Sequence, residues 1–498
     1  MRESTLTTVA GETVRLPIVE QQYIDGSFVD GGGTLATVHP PTGEPLADLP
    51  VATAADVDDA VAAANAAAAE WQSFDHLEQA RRVEAFADAI EDHHAELIRL
   101  EVADNGSCRS LFERDAQIAS SSARHYAGLA TELKGQTIPT PGETFNYTQR
   151  EPYGVIGDIV PFNHPLMFAA KDIAAALTAG NTIVLKPSEY TSLSTLYLAY
   201  LIDEGGMFPD GAVNIVTGGP SVGEALVQHP DIDLNHMRGS SATGKAILES
   251  GAQHLTPLVG EMGGKNPVIV YPDTDVEAAI EGTVTGMGLP WEGQSCASGS
   301  RLLVHESLAD EVVAGVVERF ESARIGDPFD ADSEVGSLVS ETQYERVLDL
   351  IETGVAEGGT VLCGGGPATD VADGYYVEPT VVEVSSENVL ANEEVFGPVL
   401  SVMRWSEYDE MISLANGVDY GLTASVWTND IRTAKRTIDD LEVGYVWVNQ
   451  HGTIYPATPF GGFKESGLGK HGGLDELFCY TREKNVNFSL EGDTLPNR

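Results

Sequence analysis

From Gly154 onward the apolar residues fall into short runs separated by stretches of helical period, and this alternation restricts the fold more than any other feature. The first series of runs is Val155–Val160, Thr182–Leu185, Val213–Val216 and a shorter one at Leu234–Met237. Stretches such as Met167–Thr178 and Ser192–Ile202 lie between them with helical spacing. Strands of that length joined through helices must run parallel, because each crossover returns the chain to the same end of the sheet. A second series follows at Pro267–Tyr271, Arg301–Val304, Val399–Met403, Leu422–Trp427 and Val443–Val448. The expectation is an α/β protein with two α/β domains and a cleft between them. A chain of 498 residues, 42% of them hydrophobic, is long enough to bury more than one core. The N-terminal third reads as strongly helical. Thr53 with Asp56 forms a capping-box pattern ahead of Val57, Val61, Ala64, Ala68 and Trp71, and Leu77–Leu100 reads as a second helix. Lys134–Gln149, rich in Pro, Gly and Thr, reads as extended segments with turns.

Open parallel sheets take ligands at the carboxyl ends of their strands. In the first series those ends carry Asn163, then Lys186-Pro187-Ser188-Glu189, then Gly218-Gly219, then Gly239-Ser240. Four such ends in a row suit an extended ligand such as a dinucleotide. The GxGxxG fingerprint is absent, and Gly218 to Gly223 and Gly239 to Gly244 take its place. Glycine lets backbone approach a phosphate, and a helix N-terminus adds free N–H groups. With 52 glycines in the chain, either loop alone is a weak signal. Gly239–Lys245 comes close to a phosphate-binding P-loop, but Ala246 stands where Ser or Thr would hold magnesium, so an ATPase or GTPase reading is set aside.

Charge narrows the partners. There are 28 Lys and Arg against 76 Asp and Glu, a formal net charge of −48, spread along the chain. A surface this acidic repels nucleic acid and anionic membranes. Concentrated salt would screen the self-repulsion, so adaptation to high salt is expected. The cysteines, Cys108, Cys296, Cys363 and Cys479, are too far apart for a disulfide scaffold or a zinc cluster. No apolar run approaches the ~18 residues that span a bilayer, and the start of the chain has no signal-peptide pattern, so a soluble cytoplasmic protein is expected.

Three separated segments hold the chemistry. Gly293-Gln294-Ser295-Cys296 puts a thiol on a tight loop before a strand. Glu261-Met262-Gly263-Gly264-Lys265-Asn266-Pro267 puts a carboxylate before a Gly-Gly turn, and Pro161-Phe162-Asn163-His164-Pro165 puts an amide between prolines at a strand end. A fourth, Glu393-Glu394-Val395-Phe396-Gly397-Pro398, adds an acid and an aromatic on a turn. A single buried-type cysteine is commonly filler, and Cys108, Cys363 and Cys479 are read so. His164 and His236 read as packing or turn residues, and His93-His94 as a helix surface.

Taken in order, and with Val184–Glu189 and Pro459–Gly467, these segments resemble the aldehyde dehydrogenase superfamily from about Tyr23 to about Phe488. The resemblance implies a hydrolytic, NAD(P)-dependent enzyme, with a Rossmann-like NAD-binding domain (1–131 and 152–263), a catalytic α/β domain (264–470), and a small β oligomerisation arm and tail (132–151 and 471–498). It implies Cys296 as nucleophile, Glu261 as general base, and Asn163 with the Cys296 backbone N–H as oxyanion hole. It implies Lys186 and Glu189 at the adenosine ribose, Gly219 and Gly223 near the adenine, Gly239 and Ser240 at the pyrophosphate, and Glu394 with Phe396 at the nicotinamide ribose. No metal is implied. NAD is the expected cofactor, with NADP as the alternative, because Glu189 would bond ribose hydroxyls and crowd a 2′-phosphate. The partners implied are a small-molecule aldehyde and further copies of the chain, as a homodimer or homotetramer.

The sequence departs from the family pattern at Phe162, where Trp is common, at His164, where an aromatic is common, and across Met237–Gly244, which lacks the usual Phe-Thr opening and has Ala242 in place of Glu. A CoA-acylating dehydrogenase is the alternative enzyme, and Glu261 argues against it because such enzymes generally lack that base. A non-catalytic binding protein on the same fold would not need Cys296, Glu261 and Asn163 together.

Overall fold

The computed structural model describes residues 1–490. Two twisted sheets organise them. The first has five parallel strands, Val155–Ile159, Thr182–Lys186, Val213–Ile215, Leu234–Gly239 and Leu258–Met262. Val155–Ile159 lies at the centre: the chain adds the next two strands on one side of it, then returns to add the last two on the other. The second sheet has Pro267–Val270 between Arg301–His305 and Thr423–Trp427. It continues through Val399–Trp405 and Thr380–Glu383 on one side and Tyr445–Val448 on the other, all parallel, with Thr360–Cys363 antiparallel at one edge. Both expected series are therefore present, and both sheets are buried by helices on their faces.

The N-terminal reading needs correction. Residues ahead of Thr53 are not helical: they form the antiparallel pairs Arg2–Thr7 with Thr13–Ile18, Gln22–Ile24 with Ser27–Val29, and Gly33–His39 with Glu44–Val51. The middle pair turns at Asp25-Gly26, both at positive φ (51° and 67°), and extends the first sheet at its edge. Asp-Gly between two short strands is the two-residue hairpin signal, because the twist-matched turn needs positive φ at both positions. The helices begin at Ala54–Ser73, whose capping box on Thr53 and Asp56 is formed. Its Trp71 is fully buried and donates from Nε1 to the Leu177 carbonyl at 3.0 Å.

The expected helix Leu77–Leu100 is two helices, His76–Asp92 and His94–Asn105, broken at His93 (φ −114°, ψ 21°). The break is hidden in the pattern because buried Ile90 and Leu97 are seven residues, two turns, apart and stay in phase across it.

Lys134–Gln149 forms extended structure as expected. Thr144–Pro152 pairs along its whole length with Thr481–Ser489, and Thr137–Ile138 adds a short third strand. The chain after 470 is only partly an arm. The helix Gly473–Cys479 packs on Pro165–Thr178, with Leu477 and Tyr480 buried in the first core, and Gly467–Leu468 pairs with Leu258–Met262 of the first sheet. Residues 491–498 of the expected tail lie outside the described residues. Among the described residues no helix is long and apolar enough to cross a membrane.

Candidate active site

The two sheets are joined by four residues, Gly263–Asn266, between the end of Leu258–Met262 and the start of Pro267–Val270. The carboxyl edge of the first sheet therefore faces the amino edge of the second. A cavity of ≈ 240 Å³ lies there, lined by Phe162, Asn163, Phe168, Arg238, Gly239, Ser240, Glu261, Gly263, Cys296, Gln343, Arg346, Glu394 and Phe396 among others. Phe162 and Asn163 follow the central strand and Gly239 ends its neighbour, so the cavity opens where the strand order reverses, the place open α/β sheets hold ligands.

Seven of the expected site residues thus share one cavity: Asn163, Gly239, Ser240, Glu261, Cys296, Glu394 and Phe396. Lys186, Glu189, Gly219 and Gly223 lie further along the same sheet edge. Lys186 is 4% exposed, and its ammonium reaches the Pro187 carbonyl at 2.9 Å and Glu189 at 3.7 Å. A Cβ on Gly223 would rest on the Lys186 stem at 3.5 Å, so the glycine leaves that face of Lys186 open. Gly219 starts the helix Pro220–Val227, and Ser240 caps Ser241–Gly251 through Thr243 N–H at 3.1 Å. Lys245, the lysine of the apparent P-loop, points away and pairs with Glu465 at 2.7 Å.

Cys296 is half-buried on the cavity wall, and its thiol donates to Glu261 Oε1 at 3.0 Å. Its loop is pinned on both sides. The Asn266 amide donates to the Cys296 and Ser298 carbonyls, each at 2.8 Å, while its oxygen accepts from Thr423 N–H at 3.0 Å. Upstream, buried Glu292 accepts from Ser107 at 2.6 Å and from Gly336 N–H at 2.7 Å. Gly264 is required beside the thiol, because a Cβ there would collide with the Cys296 carbonyl and the Asn266 amide.

Burial pushes the Cys296 thiol well up, and the Glu261 charge adds to it. The resting pair is therefore a thiol donating to a carboxylate. For Glu261, burial alone would raise its pKa, yet the charges of Arg238 and Lys171 and the Cys296 hydrogen bond hold it below the ordinary carboxylate value. His471 is itself pushed down to about 3 by burial and by Arg238, so it is neutral and Arg238 supplies the standing positive charge. Such a pair provides a nucleophile and, once the thiol proton has left, a base facing the same space.

Opposite, Glu394 accepts Gly264 N–H at 2.7 Å, and burial lifts its pKa to about 7. A Cβ on Gly263 would press on that carboxylate and push it aside. Phe396, at φ 56°, meets Phe162 edge-on with ring centroids 5.6 Å apart. Sequence reasoning missed the two residues that fix this turn. From one face of the helix Glu341–Ala356, Gln343 donates to the Phe396 carbonyl at 2.8 Å, and Arg346 donates to the Val395 and Glu394 carbonyls at 2.7 and 2.8 Å. Nothing in that amphipathic helix marks them. It also missed Arg238, although the unusual Met237–Gly244 segment contains it.

His164 is a buried packing residue, as expected: Nδ1 lies 2.5 Å from Asp115 and Nε2 lies 3.1 Å from the Trp291 indole nitrogen. His236 is buried likewise, on Asp158 at 2.8 Å.

A thiol and a carboxylate face one cavity at the switch point of an open parallel sheet, a pair able to serve as nucleophile and base. The comparisons make the class definite. The profile of the aldehyde dehydrogenase family matches residues 28–486. A hydroxyisobutyraldehyde dehydrogenase of Mycolicibacterium austroafricanum is 40% identical over 492 residues, 98% of this chain and 97% of the relative. An aldehyde dehydrogenase of Enchytraeus buchholzi is 43% identical over 473 residues, 93% of this chain and 94% of the relative. The NAD+ complex of an aldehyde dehydrogenase from Bacillus cereus superposes with a TM-score of 0.92 at 40% identity, covering 95% of this chain and 96% of that one. The chain belongs to the aldehyde dehydrogenase family.

Proposed function

We propose that the protein oxidises an aldehyde to its carboxylic acid with NAD as hydride acceptor, through a thiohemiacetal and then a thioester on Cys296. The observation that carries this is the 3.0 Å contact between the Cys296 thiol and Glu261, in a cavity that also holds Asn163. The unit built on the first sheet, 1–131 with 152–263, takes the dinucleotide, and 264–470 presents the thiol. Support for NAD comes from Lys186 and Glu189 beside glycines that keep the sheet edge open, and from the dinucleotide held by the Bacillus cereus relative. Residues along this edge would hold NAD, which would supply the hydride acceptor.

The chain's own residues do the rest. Cys296 Sγ, its proton passed to Glu261, adds to the aldehyde carbon. The Asn163 amide and the Cys296 backbone N–H receive the charge that grows on the oxygen, and one such donor is typically worth about 2.7–4 kcal/mol of barrier. As the oxyanion collapses, the hydride leaves and a thioester remains. Glu261 gives up the thiol proton to solvent, which is the proton of the sum, and then takes a proton from water, whose oxygen attacks the thioester carbon; the leaving Cys296 sulfur takes that proton back as the acid is released. The sum is aldehyde, NAD+ and water giving acid, NADH and a proton. CoA in place of water is disfavoured because a carboxylate, Glu261, faces the thiol where hydrolysis would want a base. The test is NADH formation across an aldehyde panel. Turnover that disappears in Cys296→Ala supports the reading, whereas turnover unchanged in that variant, or none with any aldehyde, refutes it.

Two features support a homodimer or homotetramer built through the arm. Phe145, Tyr147 and Phe488 stack into an aromatic face, with Phe145 and Phe488 43% and 49% exposed. Among the described residues the three-stranded arm also leaves a free strand edge, which a second copy would cover. Sedimentation showing only monomer in high salt overturns this. The net charge of −48 supports a cytoplasmic protein of a salt-rich cell. Activity and melting temperature should both rise in molar KCl, and indifference to salt refutes that.

A further inference from the structure

We propose that Arg238 is a positioning residue for Glu261, whose guanidinium fixes the orientation and charge of the carboxylate that faces Cys296. This rests on the reading of Glu261 as the base.

The register of the first sheet makes the two residues direct cross-strand partners, Arg238 opposite Glu261, at the carboxyl ends of adjacent parallel strands. Arg238 Nε lies 3.3 Å from Glu261 Oε2, while Oε1 receives the thiol at 3.0 Å. One carboxylate oxygen is therefore held from behind and the other is turned to the reacting space.

The guanidinium cannot easily drift. One terminal nitrogen bonds Asp172, and the other donates to His471 Nδ1 at 3.0 Å and lies 3.6 Å from Glu476. Its plane lies 4.5 Å from the centre of the Phe168 ring. A rigid fork held on several sides suits arginine and not lysine.

Glu261 and Arg238 are 5% and 4% exposed, and the groups around them are buried as well. Asp158 and Asp172 face in from the first sheet and its helix. His236 lies beside Asp158 at 2.8 Å and stacks on Tyr480, and it meets His471 at 3.3 Å. Glu476 is held by Lys171 at 3.1 Å and by the Tyr126 hydroxyl. Against four carboxylates the cluster offers only two fixed cations, Arg238 and Lys171. Losing Arg238 leaves Glu261 buried among like charges, so the carboxylate takes a proton more readily and its ionisation moves to higher pH.

The experiment measures steady-state turnover and single-turnover NADH formation across pH for Arg238→Lys, Arg238→Met and the double variant Arg238→Met with Asp172→Asn. The double variant removes two paired charges together, so the fold is not asked to bury a lone carboxylate at Asp172. In both Met variants the acid limb of kcat should rise by at least about one pH unit, with about a tenfold or greater loss at neutral pH. Single-turnover NADH formation should fall less, and Arg238→Lys should restore the limb part of the way. An acid limb that stays in place while kcat scales down equally at every pH overturns the proposal, because that is a structural defect. Failure of the base reading is separate: it shows as undiminished steady-state turnover in Glu261→Gln, whatever Arg238 does.

Discussion

Replacing Glu261 with Gln should make Cys296 more acidic while abolishing turnover, two effects of opposite sign from one substitution. The wild-type thiol is raised by burial and by the Glu261 charge. The amide keeps the burial and removes the charge. At the 3.0 Å separation, Coulomb's law gives about 1.4 kcal/mol in water and about 5.5 kcal/mol at an effective dielectric of ~20. The burial stays and only the like charge goes, so the thiol moves down. The assay is the rate of iodoacetamide alkylation against pH, since only the thiolate reacts. The midpoint should fall in Glu261→Gln, with faster labelling at neutral pH, while steady-state NADH production falls by about a hundredfold or more as hydrolysis loses its base. A midpoint that stays or rises would show that the thiolate depends on Glu261 for its formation even in the free enzyme, and the electrostatic account of the pair would be wrong.

Asn163→Ala should lower kcat by about 10²–10³ with NAD binding unchanged, as measured by turnover beside nucleotide titration. Glu189→Gln removes the charge beside Lys186 (3.7 Å) that a 2′-phosphate would meet, so kcat/KM for NADP should rise about tenfold relative to NAD. Asn266→Ala strands Thr423 N–H and two carbonyls of the thiol loop at about 1–3 kcal/mol for each group, so thermal denaturation should show a clear loss of stability along with slower Cys296 labelling.

The parallel sheets were legible because buried strands joined by helices write a rhythm that no other architecture shares, and every run from Val155 to Val448 matches a strand within two residues. The capping box on Thr53 was legible for a similar reason, since its chemistry is local. Two misreadings have local causes of their own. Asp25-Gly26 signals a hairpin, but the strands beside it are three residues each, too short for alternation to show. The break at His93 leaves the apolar phase intact. In the site, Cys296, Glu261 and Asn163 carried recognisable neighbours. Gln343 and Arg346 act on backbone carbonyls of a distant turn, so their side chains match no local pattern. Arg238 looked like a departure in a cofactor loop. Its role depends on strand register and on Asp172 and Glu476, 66 residues before it and 238 after it, which no local spacing reveals.

The way the sheets meet divides the machinery between them. Glu261 and Arg238 end neighbouring strands of the first sheet and are tied by its hydrogen bonds. Cys296 sits ahead of Arg301–His305 of the second sheet, tied to it through Asn266. The buried Arg301 guanidinium fastens that edge, bonding the Lys265, Leu414 and Ala415 carbonyls at 2.8 to 2.9 Å. The distance from thiol to carboxylate is therefore set by the Gly263–Asn266 link, whose glycines allow the close approach, whereas the charge on the carboxylate is set within the first sheet by Arg238. Substitutions in the link act on how the nucleophile and base meet, and substitutions behind Glu261 act on when the base is ionised. The two kinds of defect separate in the pH profile, because only the second moves its acid limb.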